Sequence, residues 1–226
     1  MLKPLEKKAL NPSTMLAPVP VVLVSCRGIR DGDDEKPNLI TLAWAGTVCS
    51  EPPMISISIR KSRFSHQKII ESGEFVINLV NDELLKATDF CGVKSGRDLD
   101  KFAVCKLTPV PAAGLAITPA VAESPLTLSC KVRQVIELGS HDCFIAEIIA
   151  VEAAAKLIDK QDKLHLDRAN LVAYVHGEYR TLGDLAGFFG YSVASPQVLA
   201  RRLPKKVPPN QSLRRPVQRT NPGKPK

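Results

Sequence analysis

Two β-type runs, Leu126 to Glu137 and Asp142 to Glu152, are joined by only Leu138-Gly139-Ser140-His141. A connection this short turns the chain straight back, since parallel strands need a crossover of a dozen residues or more. A long antiparallel hairpin is therefore expected in the C-terminal half. Earlier, Met54 to Ile59 alternates strictly, with Ile55, Ile57 and Ile59 on one face and Ser56 and Ser58 on the other. That period of two marks a half-buried strand whose polar face looks at something other than the core. Pro18 to Ser25 is a compact Val-rich run and reads as a buried strand. Gly28 to Pro37 is charged, carries two glycines and reads as a hairpin tip, with Asn38 to Val48 as the returning strand. Glu51-Pro52-Pro53 breaks that strand.

Helical signals are short. Ser62 is a suitable N-cap and Gly73 a suitable stop for a helix over Arg63 to Ser72, followed by a strand over Phe75 to Val80. Asp82 to Phe90, Arg97 to Cys105 and Ala154 to Asp162 also have helical character, and Tyr174 to Gly190 is rich in aromatics and glycine. Around seven strands with a few short helices predict a mainly β chain, an antiparallel barrel rather than a doubly wound sheet. No GxGxxG follows the first strand and no P-loop pattern occurs, so a Rossmann-type nucleotide site is not expected.

The net charge of +8 belongs to one end of the chain. Residues 200–226 hold nine Lys or Arg, six Pro and no acid, while the rest carries 22 basic and 23 acidic residues. Such a tail buries no apolar face and is expected to be disordered. It reads either as a solvated extension or as a contact for nucleic acid or an anionic surface; no aromatic is interleaved to stack on bases. The six cysteines form no CxxC, and no histidine pair has metal-ligand spacing. They read as reduced thiols of a cytoplasmic protein, with Cys91, in a loop-like segment, the one to watch. No apolar run reaches the roughly 18 residues of a membrane helix, and no cleaved signal peptide is expected.

The segment richest in chemistry is Ser58-Ile59-Arg60-Lys61-Ser62-Arg63 leading to His66. Three cations and two hydroxyls surround the point where a strand ends and a helix begins. A helix N-terminus offers free amides and the positive end of the helix dipole, so cations added there prepare a phosphate site. The same residues also fit a solvated basic turn. Asn38-Leu39-Ile40-Thr41-Leu42-Ala43-Trp44 places a polar or large aromatic residue at every third position. Trp44, the only tryptophan, reads either as a core anchor or as a wall against a planar heterocycle.

The order Asn-x-x-Thr-x-x-Trp, Pro-Pro, alternating strand, basic Ser-containing turn, short helix and Gly-Glu-Phe-Val-Ile-Asn-Leu resembles the flavin reductase-like, FMN-binding split-barrel family, in its flavoredoxin-like branch. Asp100-Lys101-Phe102, the strand Cys143 to Val151 and Tyr179-Arg180-Thr181-Leu182-Gly183 match as well. The resemblance implies a split barrel over residues 15–193, flanked by an N-terminal extension, 1–14, and a basic Pro-rich tail, 194–226. It implies FMN as cofactor, with Asn38, Thr41 and Trp44 beside the ring system, and Ser58, Arg60, Lys61, Ser62 and His66 at the ribityl phosphate. Lys101 would approach the flavin from a later loop; on its own it reads equally as a surface helix cation. The implied activity is a flavin-dependent oxidoreductase passing hydride or electrons from NAD(P)H or a protein donor to free flavin or another acceptor. A homodimer is implied, with the flavin near the subunit interface. No catalytic acid or base is required. The competing readings are a non-catalytic electron carrier or binding module with a partner-binding tail, and a split-barrel oxidase of small amines.

Overall fold

The computed structural model describes residues 3–29 and 35–203. The chain divides into two compact units, Met1–Leu182 and Gly183–Lys226. In the first, seven antiparallel strands form the main sheet. In chain order they are β2 (Val22–Cys26), β3 (Asn38–Leu42), β4 (Ala45–Ser50), β5 (Pro53–Arg60), β6 (Glu74–Leu79), β9 (Leu126–Leu138) and β10 (His141–Ala153). A short β1 (Val19–Pro20) joins β11 (Val172–Val175) and β12 (Glu178–Thr181) in a small sheet, and β7 (Pro109–Pro111) pairs with β8 (Pro119–Val121). The helices of this unit are α1 (Phe64–Ser72), α2 (Leu85–Val93) and α3 (Lys101–Cys105).

Spatial order in the main sheet is β3-β2-β6-β9-β10-β5-β4. The sheet rolls so that its ends approach: β3 and β5 come into contact although no ladder joins them. One core fills the inside, with Val22, Val24 and Ile40 from one end packed with Ile55, Ile57 and Ile59 from the other. Val21 just before β2, Leu23 of β2 and Leu39 of β3, on the opposite face, form a second core with Leu84, Cys91 and Phe102 under α2 and α3. β2 is thus buried on both faces, which suits its apolar Val22-Leu23-Val24; its one polar side chain, Ser25, donates its hydroxyl to the carbonyl of Pro119. The expected mainly β, antiparallel split barrel is the architecture found.

The hairpin of β9 and β10 turns at Gly139-Ser140, where Gly139 has φ +61°, a conformation that a residue without Cβ adopts at little cost. Several boundaries differ from expectation. Asn38 to Val48 is two strands, because the chain turns a corner at Ala43-Trp44 and carries β4 to the opposite edge of the sheet. Ala154 to Asp162 holds only a 3-10 turn at Ala155–Leu157. The N-cap of α1 is Arg63 rather than Ser62, with no side-chain cap; Gly73 ends the helix as expected, at φ +66°. The hairpin tip, Gly28 to Pro37, lies partly outside the described residues, but its flanks pair with Cys26 opposite Asn38. In the second unit, α4 (Pro196–Arg202) occupies part of the segment expected to be disordered, and residues 204–226 lie outside the described residues. No helix of the described residues is long and apolar enough to cross a membrane.

Candidate functional site

The seam where β3 faces β5 opens into a cavity of about 550 Å³, walled by Ile40 to Trp44, Ser58 to Arg60 and His141. A second cavity of about 430 Å³ lies toward the start of α1 and the α2–α3 connection. Ile40, Arg60 and Arg63 border both. The two ends differ in chemistry. At the first, Trp44 is 44% exposed and its ring stands 4.6 Å from that of His141, tilted by 47°. Leu16, Val19 and Tyr174 add apolar surface. Burial, and then Arg60 and Arg63, hold the His141 imidazole below the usual histidine range, so at neutral pH this wall carries a neutral ring.

The second end is cationic. Arg60, Arg63, Lys94 and Arg97 border it together with Ser62, Ser65 and Gly96. Apart from that of His66, which bonds the Arg63 carbonyl at 3.0 Å, the first amides of α1 lack an intrahelical acceptor and, with the helix dipole, favour an anion here. Arg97 Nη1 donates to the carbonyl of Ser62 at 3.2 Å, and its guanidinium stands 5.5 Å from the Phe64 ring centroid, so it is aimed rather than free to roam. Asn38 Nδ2 donates to Ser65 Oγ at 2.8 Å, tying β3 to α1. A Cβ on Gly96 would fall 2.0 Å from Asn38 Oδ1, so glycine lets the α2–α3 connection lie directly on this pair.

The seven residues Asn38, Thr41, Trp44, Ser58, Arg60, Ser62 and Lys101 border the cavities; Lys61 and His66 do not. Trp44 is not a core anchor, because the corner it occupies turns it outward. The Thr41 hydroxyl donates to the carbonyl of Thr88 on α2. Lys101 is no surface cation: it is 3% exposed, and its ammonium donates to the carbonyls of Leu39 at 2.7 Å and Cys91 at 2.8 Å. Burial pushes it below the usual lysine range. Lys61 points the other way, 2.6 Å from Glu137 and 3.5 Å from Asp142. His66 is buried, with Nε2 2.7 Å from Asp142 Oδ2 and its ring edge-on to Phe144. These two therefore brace the turn against the β9–β10 hairpin instead of facing the cavity. Cys91 lies in α2 and is buried, not in a loop. No group of His, Cys, Asp or Glu among the described residues is arranged to hold a metal.

Sequence reasoning placed Arg63 in the basic turn without assigning it to the phosphate, and missed His141 and the segment Lys94-Ser95-Gly96-Arg97. That segment has a readable signal, since it repeats the cation-and-serine composition of Lys61-Ser62-Arg63. His141 has none; the hairpin fold alone carries it to Trp44.

A split barrel whose seam holds one cavity beside the Trp44 and His141 rings and another lined by Arg60, Arg63, Lys94 and Arg97 has room and charge for a small anionic ligand. Residues 15–183 match the flavin reductase like domain, and the chain belongs to that family. Its structure resembles the flavoredoxin of Desulfovibrio vulgaris (Miyazaki F), with 32% identity, 83% of this chain and 100% of that one covered, and a TM-score of 0.75. The flavoredoxin of Methanosarcina acetivorans is similar at 28% identity, covering 84% and 100% of the two chains with a TM-score of 0.74. FMN reductase (NADH) RutF of Pseudomonas syringae pv. syringae is 27% identical over 147 residues, 59% of this chain and 80% of that protein. Three uncharacterised curated relatives, from Archaeoglobus fulgidus, Aeropyrum pernix and Halalkalibacterium halodurans, are matched over 66%, 41% and 62% of their length. The family and these relatives support a flavin-related redox function.

Proposed function

We propose that the chain binds FMN along the seam and acts as a flavin-dependent oxidoreductase, of the NAD(P)H:flavin reductase type. The observation that carries this reading is the pair of cavities sharing Ile40, Arg60 and Arg63, one flanked by the Trp44 and His141 rings, the other adding Lys94 and Arg97 to the shared arginines at the start of α1. Their size suits a small cofactor, and the close seating of Gly96 on Asn38 gives the phosphate end a floor without side-chain bulk. The residues present therefore fit the group. Arg60, Arg63 and Arg97 would hold the phosphate, with amides of α1; Trp44 and the neutral His141 would border the ring system. FMN, when bound, supplies hydride and electron transfer. The chain contributes position and a cationic field, with Leu16 and Tyr174 adding apolar surface beside the ring system; the chemistry needs no protein acid or base. NAD(P)H as donor, a homodimer and a cytoplasmic setting belong to the same proposal.

The electron-carrier reading has one observation in its favour, the likeness to two flavoredoxins. The visible spectrum of the purified protein tests FMN binding: a colourless protein that FMN cannot reconstitute ends the proposal. With FMN bound, stopped-flow bleaching by NADH and NADPH is expected. Bleaching by neither, with ready reduction by a protein donor, transfers the chain to the carrier class.

A further inference from the structure

Cys91 on α2 and Cys105 at the end of α3 place their sulfurs 3.9 Å apart. The other thiols that make a hydrogen bond are differently engaged: Cys26, Cys49 and Cys130 point at backbone carbonyls. The pair also brackets a functional stretch. Between the two cysteines lie Lys94, Ser95, Gly96 and Arg97, which border the phosphate end of the cavity, and Lys101, whose ammonium hydrogen-bonds the carbonyl of Cys91 itself. Cys91 borders the same cavity.

We propose that Cys91 and Cys105 are a redox-closable staple, and that a disulfide between them fastens the segment cradling the phosphate and slows release of FMN. The effect on release rests on the proposed FMN site; the disulfide itself does not. Closure from 3.9 Å to a sulfur–sulfur bond of about 2 Å asks for a shift that a cysteine rotamer change or a small slide of the five-residue α3 supplies. The two thiols have unequal roles. Cys105 is partly exposed, whereas burial, and then the neighbouring Cys105, push the Cys91 thiol up to about 12. Cys105 is thus the sulfur that meets an oxidant and Cys91 the one that resolves it. With a small-molecule disulfide such as glutathione disulfide, Cys105 gives its proton to solvent and its thiolate attacks one sulfur. A mixed disulfide forms, and one small thiol leaves with a proton. Cys91 then loses its proton and attacks the Cys105 sulfur, and the second small thiol leaves. Two protein thiols are oxidised to one disulfide, and one small disulfide is reduced to two thiols. A crosslink limits local opening of the segment it spans, which is the motion that releases a ligand held there.

The test uses the full chain, reduced and then incubated with glutathione disulfide, followed by alkylation and peptide mapping. The expected result is loss of two alkylatable thiols and a peptide pair joined through Cys91 and Cys105, reversed by dithiothreitol. Cys49→Ser should leave the crosslink intact. In Cys91→Ser, Cys105 should instead retain a stable glutathione adduct, and Cys105→Ala should show no linkage. Retention of all six thiols, or crosslinks mapping to other cysteines, overturns the staple. In a second arm, FMN release is followed by recovery of its fluorescence. Release is expected about threefold to tenfold more slowly from the oxidised protein, the scale on which a crosslink restrains local opening. Equal release rates overturn the gating role. A protein that crosslinks but takes up no FMN overturns the proposed function and, with it, the gating role, while leaving the disulfide standing.

Discussion

Gly96→Ala should damage the site without touching a charged group. The added Cβ would lie 2.0 Å from Asn38 Oδ1, 2.6 Å from Cγ and 3.0 Å from Nδ2, distances that real contacts do not tolerate. Asn38 is buried, and its amide moves only by giving up Ser65, its 2.8 Å partner on α1. A buried polar group deprived of its partner costs about 1–3 kcal/mol, so about 2 kcal/mol is expected. In a unit of this size that lowers the melting midpoint by roughly 4–8 °C. If the whole cost falls on the cradle that FMN needs, its Kd rises by up to about 30-fold. Calorimetry of the FMN-free protein and fluorescence titration with FMN read the two effects separately. Gly46→Ala is the control, since a Cβ there meets nothing within 4 Å. The mechanism is checked by a double-mutant cycle: in an Asn38→Ala background the clashing atoms are gone, and the cost of Gly96→Ala should largely disappear. An unchanged midpoint and Kd in Gly96→Ala, or an undiminished cost in the Asn38→Ala background, refutes the packing argument.

Two further substitutions follow from the geometry. Arg60→Ala should weaken FMN binding about 10-fold or more, the scale of a lost charge-assisted hydrogen bond, whereas Lys61→Ala, whose ammonium is engaged by Glu137 and Asp142, should change it by less than about twofold. Isothermal titration with FMN separates them, and equal losses contradict the placement of Lys61. Asp159 is held down to about 2, first by His165 at 2.7 Å and then by the amides of Lys163 and Gln161. A carboxyl depressed in the folded state contributes stability that is complete above its ordinary value of 3.8 and is lost as pH falls through about 2. Urea midpoints followed across that window should therefore fall more steeply in the parent than in Asp159→Asn; parallel profiles count against a stabilising role for the pair.

The fold was legible where one residue pattern answered to one physical demand. Ile55, Ile57 and Ile59 alternate because β5 has a buried and an open face, and the β9–β10 hairpin follows from the shortness of its link. The corner at Ala43-Trp44 was not legible, because what splits that strand is the pairing of β4 with β5 and not any breaker in the local sequence. The site divides the same way. A cluster of cations and hydroxyls at a strand-to-helix junction pointed to a phosphate, and Arg60 and Ser62 do border that end. Which neighbours turn away was set from afar: Asp142, 76 residues beyond His66, claims both His66 and Lys61. Lys101 is buried for a like reason, its ammonium answering carbonyls on β3 and α2 that no local pattern reveals.

The seam between β3 and β5 has a thermodynamic consequence. Elsewhere in the main sheet, neighbouring strands are held by ladders of backbone hydrogen bonds; here two strands meet through side chains and a cavity. The seam is thus where the barrel has least backbone cohesion and where opening short of global unfolding should begin. A ligand lodged between β3 and β5 binds the closed form and not the opened one, so it shifts that local equilibrium by mass action as its concentration exceeds its Kd. Amide hydrogen exchange along Asn38–Leu42 and Pro53–Arg60 thereby becomes a gauge of occupancy, and the ligand bridges two strands that no backbone ladder joins.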